Sequence, residues 1–368
     1  MKVLIASDVD NGRRKILFSG HIVDYDEGMV GASVALTVGG EAIATFSLSG
    51  GNDTGDGHIR FAPVEVDISK LLRLTDTHFD AIDAYGRPLE PDVPVQFEGD
   101  VFRALALDTP DEFHKLIQLH HSRFTSPVLL ELGAWAAVLR FPDDFVVRNA
   151  GLVVMAHRIL ERPFAQLQPE DFERSQTIVQ MALEDIVIGE ELIRAAGDTP
   201  DWRHIRWTIS IATVAGYLAL LNNRYTDAAT LFAVNVRQVP NVHFAKVSAL
   251  NLVLGCFTHG LLMSAFGMRD GARDSFSTGL EAVKPVVQAQ NLFENVWVIG
   301  DLMNVMVAAR QCFIALVRLN LRSFDPSQPV IDPGQQIDTG LLKGHLRAIL
   351  NAGWAPLLAD HLTACGGR

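Results

Sequence analysis

Thr109-Pro110-Asp111-Glu112 is the stretch on which the reading of this chain turns. A threonine hydroxyl can accept a hydrogen bond from an unpaired N–H at a helix start. Proline suits the first helical position, and a glutamate three residues past the cap can reach back to the cap's own N–H. A helix therefore opens here. Upstream the residues have the texture of strands, and downstream that of helices. The chain is read as an α+β protein of two domains, a β-sandwich module over 1–105 and an all-helical domain over 106–368.

Working back from that point, short β-rich runs lie at 15–23, 33–38, 42–48, 58–66, 78–84 and 93–97. They are separated by turn residues such as Asp10-Asn11-Gly12, Gly39-Gly40 and Gly86-Arg87-Pro88. Val34, Leu36 and Val38 alternate with small or polar residues, as in a strand with one buried face. Short strands at this spacing predict an antiparallel sandwich instead of a parallel α/β sheet. Two acidic turns, Asp8 to Gly12 and Asn52 to Gly57, offer oxygen ligands. They lack the distal bidentate glutamate of a calcium loop and are read as solvated hairpins.

Four strings in this region carry a resemblance: Ser19-Gly20-His21-Ile22-Val23-Asp24, Val34 to Glu41, Gly55-Asp56-Gly57-His58-Ile59-Arg60-Phe61 and Ala84-Tyr85-Gly86-Arg87-Pro88-Leu89. Together they resemble the Ig-like sandwich modules that accompany bacterial polysaccharide glycosyltransferases, over roughly residues 15–98. The resemblance implies a non-catalytic module in the neighbourhood of cell-surface carbohydrate assembly. No transferase domain accompanies it in this chain.

Working forward, helices are predicted over 128–140, 143–162, 169–196, 200–222, 226–239, 244–267, 269–288, 292–321 and 340–351. Thr199-Pro200-Asp201 and Pro169-Glu170-Asp171 supply further helix starts. Gly216, Ala228 and Phe232 recur as Gly260, Ala272 and Phe276, each displaced by 44 positions. This small residue, alanine and A-x-x-x-F spacing is similar to tetratricopeptide repeats, in which small residues let two helices approach and the phenylalanine fills the groove. The interval exceeds the roughly 34 residues of that family, and Lys284 stands where its closing proline is expected. Such helical pairs imply a groove for a protein partner.

Composition bounds the function. Of 368 residues, 48% are apolar and 20% charged, enough for a substantial core, and the net charge of −12 excludes a general nucleic-acid footprint. Cys256, Cys312 and Cys365 are odd in number and read as free thiols in a reducing compartment. With an opening apolar run too short for a signal peptide, the expected location is the cytoplasm. Residues 247–268 carry no formal charge, but Ser248, Asn251, Thr258 and His259 interrupt them, so a buried helix is expected instead of a membrane span.

No GxGxxG, Walker A, GxSxG, CxxC or HExxH pattern occurs, and no catalytic residue, metal ligand or cofactor is assigned. His114, Gln118 and His121 share a helix face without a third ligand. Glu184, Asp185, Glu190 and Glu191 lie on one helix and do not oppose each other across a cleft, and Glu190 is placed to pair with Arg194. The string with binding chemistry is Trp202, Arg203, His204, Arg206 and Trp207, because indole faces stack on sugars or cations and arginine forks grip anions. The expected function is a non-catalytic interaction or scaffold protein, binding a protein in the helical groove and glycan through the sandwich. Alternatives are a carbohydrate-active enzyme with its site between the domains or near Trp202–Trp207, and a self-assembling, homo-oligomeric structural protein.

Overall fold

A computed structural model describes residues 2–23, 33–47, 52–53, 59–73, 75, 77–82, 95–121, 126–160, 162, 166–245, 248–265, 268, 270–271, 274–275 and 278–279. The chain is of the α+β class, with sheets in the N-terminal part and helices in the C-terminal part. It divides into two compact units, Met1–Pro142 and Asp143–Arg368. The first unit thus runs past the sequence boundary at 105/106 and takes in three helices beyond the strands.

In the first unit, strands β1 (Lys2–Asp10) and β2 (Lys15–Val23) form an antiparallel hairpin. Strands β3 (Ser33–Val38) and β4 (Glu41–Ser47) form a second, turned by Gly39 and Gly40, both at positive φ. Short strands follow: β5 (Asn52–Asp53), β6 (Ile59–Arg60), β7 (Val64–Asp67), β8 (Phe79–Ile82) and β9 (Val95–Glu98). The larger sheet runs β5-β6-β2-β1-β9 with β7 also on β2, and the smaller runs β4-β3-β8. The pairing of β1 with β9 is parallel, so the larger sheet is mixed and not antiparallel throughout. Strands brought together across a long sequence interval are free to align in the same direction, which a hairpin forbids.

Three longer helices join these strands after the single turn α1 (Ile68–Leu71): α2 (Asp100–Leu105), α3 (Pro110–His121) and α4 (Pro127–Arg140). Both sheets share one core with α2 and α4, reaching from Ile5 and Phe18 to Leu36 and Phe46 and on to Phe102 and Leu132. The predicted cap of α3 is formed: Glu112 N donates to Thr109 Oγ1 at 3.3 Å, and Thr109 N donates to Glu112 Oε2 at 2.9 Å. The backbone N–H groups of Asp108 and Thr109, both donating to its carboxylate, hold the exposed Glu112 carboxyl below its ordinary range. The wholly buried Glu131 of α4 meets Arg14 at 2.9 Å, tying the helix to the β1–β2 turn, where Arg14 has φ +54°. Ser126 contacts Asn11 in the same turn.

The second unit consists of α5 (Phe145–Leu160), α6 (Pro169–Ala195), α7 (Trp202–Leu221), α8 (Tyr225–Gln238), one 3-10 turn (Val239–Asn241) and α9 (Ala249–Ala265) among the described residues. Helix α7 is buried on every side from Trp207 to Leu221 and touches α5, α6, α8 and α9. By length and composition it could cross a membrane, yet 89% of that window is buried inside the unit. The uncharged segment 247–268 contributes α9, which has 17 residues. Asp201, not Thr199, caps α7, its carboxylate accepting from Arg203 N at 2.9 Å.

Neighbouring helices of this unit close over glycines. A Cβ on Gly189 would lie 2.2 Å from Thr208 Oγ1, one on Gly216 2.6 Å from the Phe232 ring, and one on Gly255 1.8 Å from Asn235 Nδ2. Gly216 of α7 thus lies against the Phe232 ring of α8, and Ala228 and Phe232 are fully buried. Gly260 is buried too, but Ala272, Phe276 and the helices predicted at 292–321 and 340–351 lie outside the described residues. Gly216→Leu is expected to destabilise the protein by about 1–3 kcal/mol through overpacking. Phe232→Ala in the same chain should recover part of that loss, and denaturant midpoints of the single and double variants measure the coupling.

Candidate functional site

The five residues singled out by their chemistry lie in the first turn and a half of α7, and its helical twist separates their roles. Trp202 is 46% exposed, whereas Trp207 is buried in the unit. The Arg206 guanidinium lies within reach of both rings, 4.6 Å from the Trp207 ring centroid and 5.9 Å from that of Trp202. Burial pulls the Arg206 pKa below its ordinary value, and cation–π contact with two indoles compensates part of its lost hydration. Arg203 is exposed but committed: its Nη2 donates to Asp201 Oδ2 at 2.6 Å and its Nε to the same oxygen at 3.0 Å. His204 meets the Phe145 ring edge-on at 5.7 Å between centroids. The segment therefore presents one indole face backed by a fixed cation, rather than two arginine forks open to an anion.

Behind it, the carboxylates considered for acid–base work are drawn apart. Asp185 is buried 3.0 Å from Arg148 Nε, and burial raises its pKa against the pull of that arginine. Glu190 pairs with Arg237 of α8 at 2.8 and 3.0 Å, a partner from another helix instead of Arg194. Glu184 stays on the exposed face and accepts from Gln180. Among the described residues no group of three His, Cys, Asp or Glu could hold a metal ion, and the His114, His120 and His121 side chains lie outside them.

Buried polar side chains link α7, α8 and α9 instead. Asn235 Nδ2 donates to Thr213 Oγ1 at 3.0 Å, Thr213 donates to the Ile209 carbonyl at 2.8 Å, and Tyr217 and Thr258 hydroxyls meet at 2.9 Å. Burial pushes up the Tyr217 hydroxyl and the Cys256 thiol, keeping both neutral. A thiol so placed lacks the thiolate character that nucleophilic chemistry needs.

Sequence reasoning passed over a second locus, in the first unit. A cleft of about 710 Å³ opens beside β8 and β9, with Phe79, Phe97 and Phe102 among its walls. Their rings pack on one another at centroid distances of 4.8 to 5.9 Å. Gly99, at φ +111°, brings the chain against Ser7 as it leaves β9, where a Cβ would meet Ser7 O at 2.5 Å. The available signal was the largely apolar run Val101-Phe102-Arg103-Ala104-Leu105, which ends at the boundary drawn between residues 105 and 106. Comparison with family models, with curated proteins and with solved structures returns no match.

Two histidines make stability depend on acid. Burial lowers His157 to about 4 from 6.5, and His259, also depressed by burial, to about 4. The unfolded chain therefore takes up these protons first, so stability is full above about pH 6.5 and falls as the pH drops towards 4. The loss amounts to roughly 3 kcal/mol for the wholly buried His157 at the acid end, and to less for His259, which solvent partly screens. His157→Leu should flatten that slope between pH 6.5 and 4, as read from urea midpoints across the range.

Proposed function

We propose that this chain is an interaction protein. Its N-terminal unit is a β-sandwich module and its helical unit a set of TPR-like helix pairs that hold a protein partner in the cytoplasm. The observation carrying this reading is the half-exposed Trp202 indole, seated at a helix start with the Arg206 guanidinium within cation–π reach of it and of Trp207. Tryptophan and arginine are the residues enriched where interfaces concentrate their energy. The long, mutually enclosing helices supply the stiff platform that such an anchor needs. The turn pattern at Ser19–Asp24, Gly55–Phe61 and Ala84–Leu89 favours a setting in cell-surface polysaccharide assembly, with the sandwich module binding glycan.

The test pairs affinity capture from the source cells with glycan retention by the full chain. A partner held by the wild type should bind Trp202→Ala roughly 30-fold more weakly, the loss expected for a hot-spot residue of about 2 kcal/mol. Thermal unfolding of that variant should match the wild type, since the ring is half in solvent. Equal recovery by both forms, with no glycan retained, would remove the basis for this function.

A further inference from the structure

The peptide groups beside the β8–β9 cleft have orientations that follow from the pairing. Gly20 of β2 accepts from Phe61 N through a carbonyl that must point away from β1. Its partner across the hairpin, Ile5, therefore turns its own N–H and C=O away from β2 and towards β9. Ile5 stands opposite Phe97 in the parallel ladder. In such a ladder its bonds run to the residues flanking Phe97, namely Gln96 and Glu98. Ser7 Oγ, donating to the Glu98 carbonyl at 3.3 Å, agrees with that orientation. Alternation then directs the N–H and C=O of Phe97 outwards from β9, the last strand of its sheet among the described residues. Among the described residues Phe97 makes no backbone hydrogen bond outside the sheet.

The edge at β4 is treated differently. There Lys70 Nζ donates to the carbonyls of Ala42 and Ile43 at 2.8 and 3.3 Å, placing a charge where another strand would pair. No such side chain guards Phe97 among the described residues. Beside Phe97 lies the aromatic-walled cleft, whose volume of 710 Å³ falls within the roughly 300–1,000 Å³ of ligand sites. The arginines at its rim are engaged, Arg103 with Asp100 and Arg140 with Asp108 and the Leu107 carbonyl, and Thr77, His78, Gln96 and Glu98 add polar groups around the aromatic floor.

We propose that this cleft docks an extended peptide of a partner protein. The peptide pairs with the outer edge of β9 and sets one bulky apolar side chain against Phe79, Phe97 and Phe102. Main-chain pairing supplies the affinity and the aromatic pocket the selectivity, the division of labour seen wherever a peptide adds a strand to an open edge. This rests on the interaction-protein reading but uses a different unit from Trp202, so the two fail separately.

Random linear peptides roughly ten residues long, displayed on phage, are panned against the full chain, and the enriched peptide is synthesised with a fluorophore. It should carry a bulky apolar anchor and lose at least about tenfold in affinity for Ala106→Trp, which fills the cleft from an exposed position. Methylating its backbone nitrogens should weaken binding at alternate positions and spare those between, because a strand paired along one edge uses every second N–H. Trp202→Ala should bind the peptide as the wild type does. No enrichment, undiminished binding to Ala106→Trp, or methylation losses without alternation would overturn the proposal.

Discussion

A helix that is apolar around its whole circumference has to be enclosed, and the second unit is organised by that requirement. From Trp207 to Leu221 every residue of α7 is buried, and α5, α6, α8 and α9 supply the cover. Enclosure demands close approach, and close approach demands missing side chains. Gly189 accommodates Thr208 between α6 and α7, Gly216 accommodates the Phe232 ring between α7 and α8, and Gly255 accommodates Asn235 between α8 and α9. Interiors are packed to the density of organic crystals, so each of these pairs constrains its neighbours.

Such enclosure carries polar groups inward with it, and they are answered mainly by one another. Asn235, Thr213 and the Ile209 carbonyl form a chain of hydrogen bonds across α7 and α8, while Tyr217 meets Thr258 of α9. Asp185 meets Arg148 of α5. Asp171 at the start of α6 accepts both arms of Arg162 at 2.7 Å, and these bonds lower its pKa although burial works the other way. Removing one member of a buried set leaves another unsatisfied, which costs more than the net worth of the bond itself. These groups help define which helix faces which.

In the first unit a single aromatic side chain has a comparable role. Phe102 of α2 lies against Phe18 of β2, Phe79 of β8 and Phe97 of β9, so it touches strands of both sheets. The ends of β8 and β9 are thereby held beside one cleft, and the outward peptide group of Phe97 has a fixed setting. A helix of six residues achieves this because Gly99 permits the turn that sets α2 against the sheet edge.

Local signals were legible because they operate within four residues along the chain. The cap at Thr109 and Glu112, the bounds of β2 and β3, and the starts of α4 and α6 all follow from short-range hydrogen bonding and side-chain periodicity. Gly216 and Phe232 lie on the consecutive helices α7 and α8, whose pairing brings them into contact. Partners distant in sequence were another matter. Glu190 had Arg194 one turn away, yet its bonds go to Arg237 of α8, and β9 runs parallel to β1 across more than eighty residues. The same held for the cleft, since Phe79, Phe97 and Phe102 share no periodic pattern. The amino-acid order by itself determined that strands precede helices along the chain, while the buried helix it singled out, over 247–268, was not the fully enclosed one, which is α7. Only the tertiary structure decided which charges pair, which strands lie side by side and which aromatic rings meet, because those outcomes depend on distances between residues that the chain brings together only when folded.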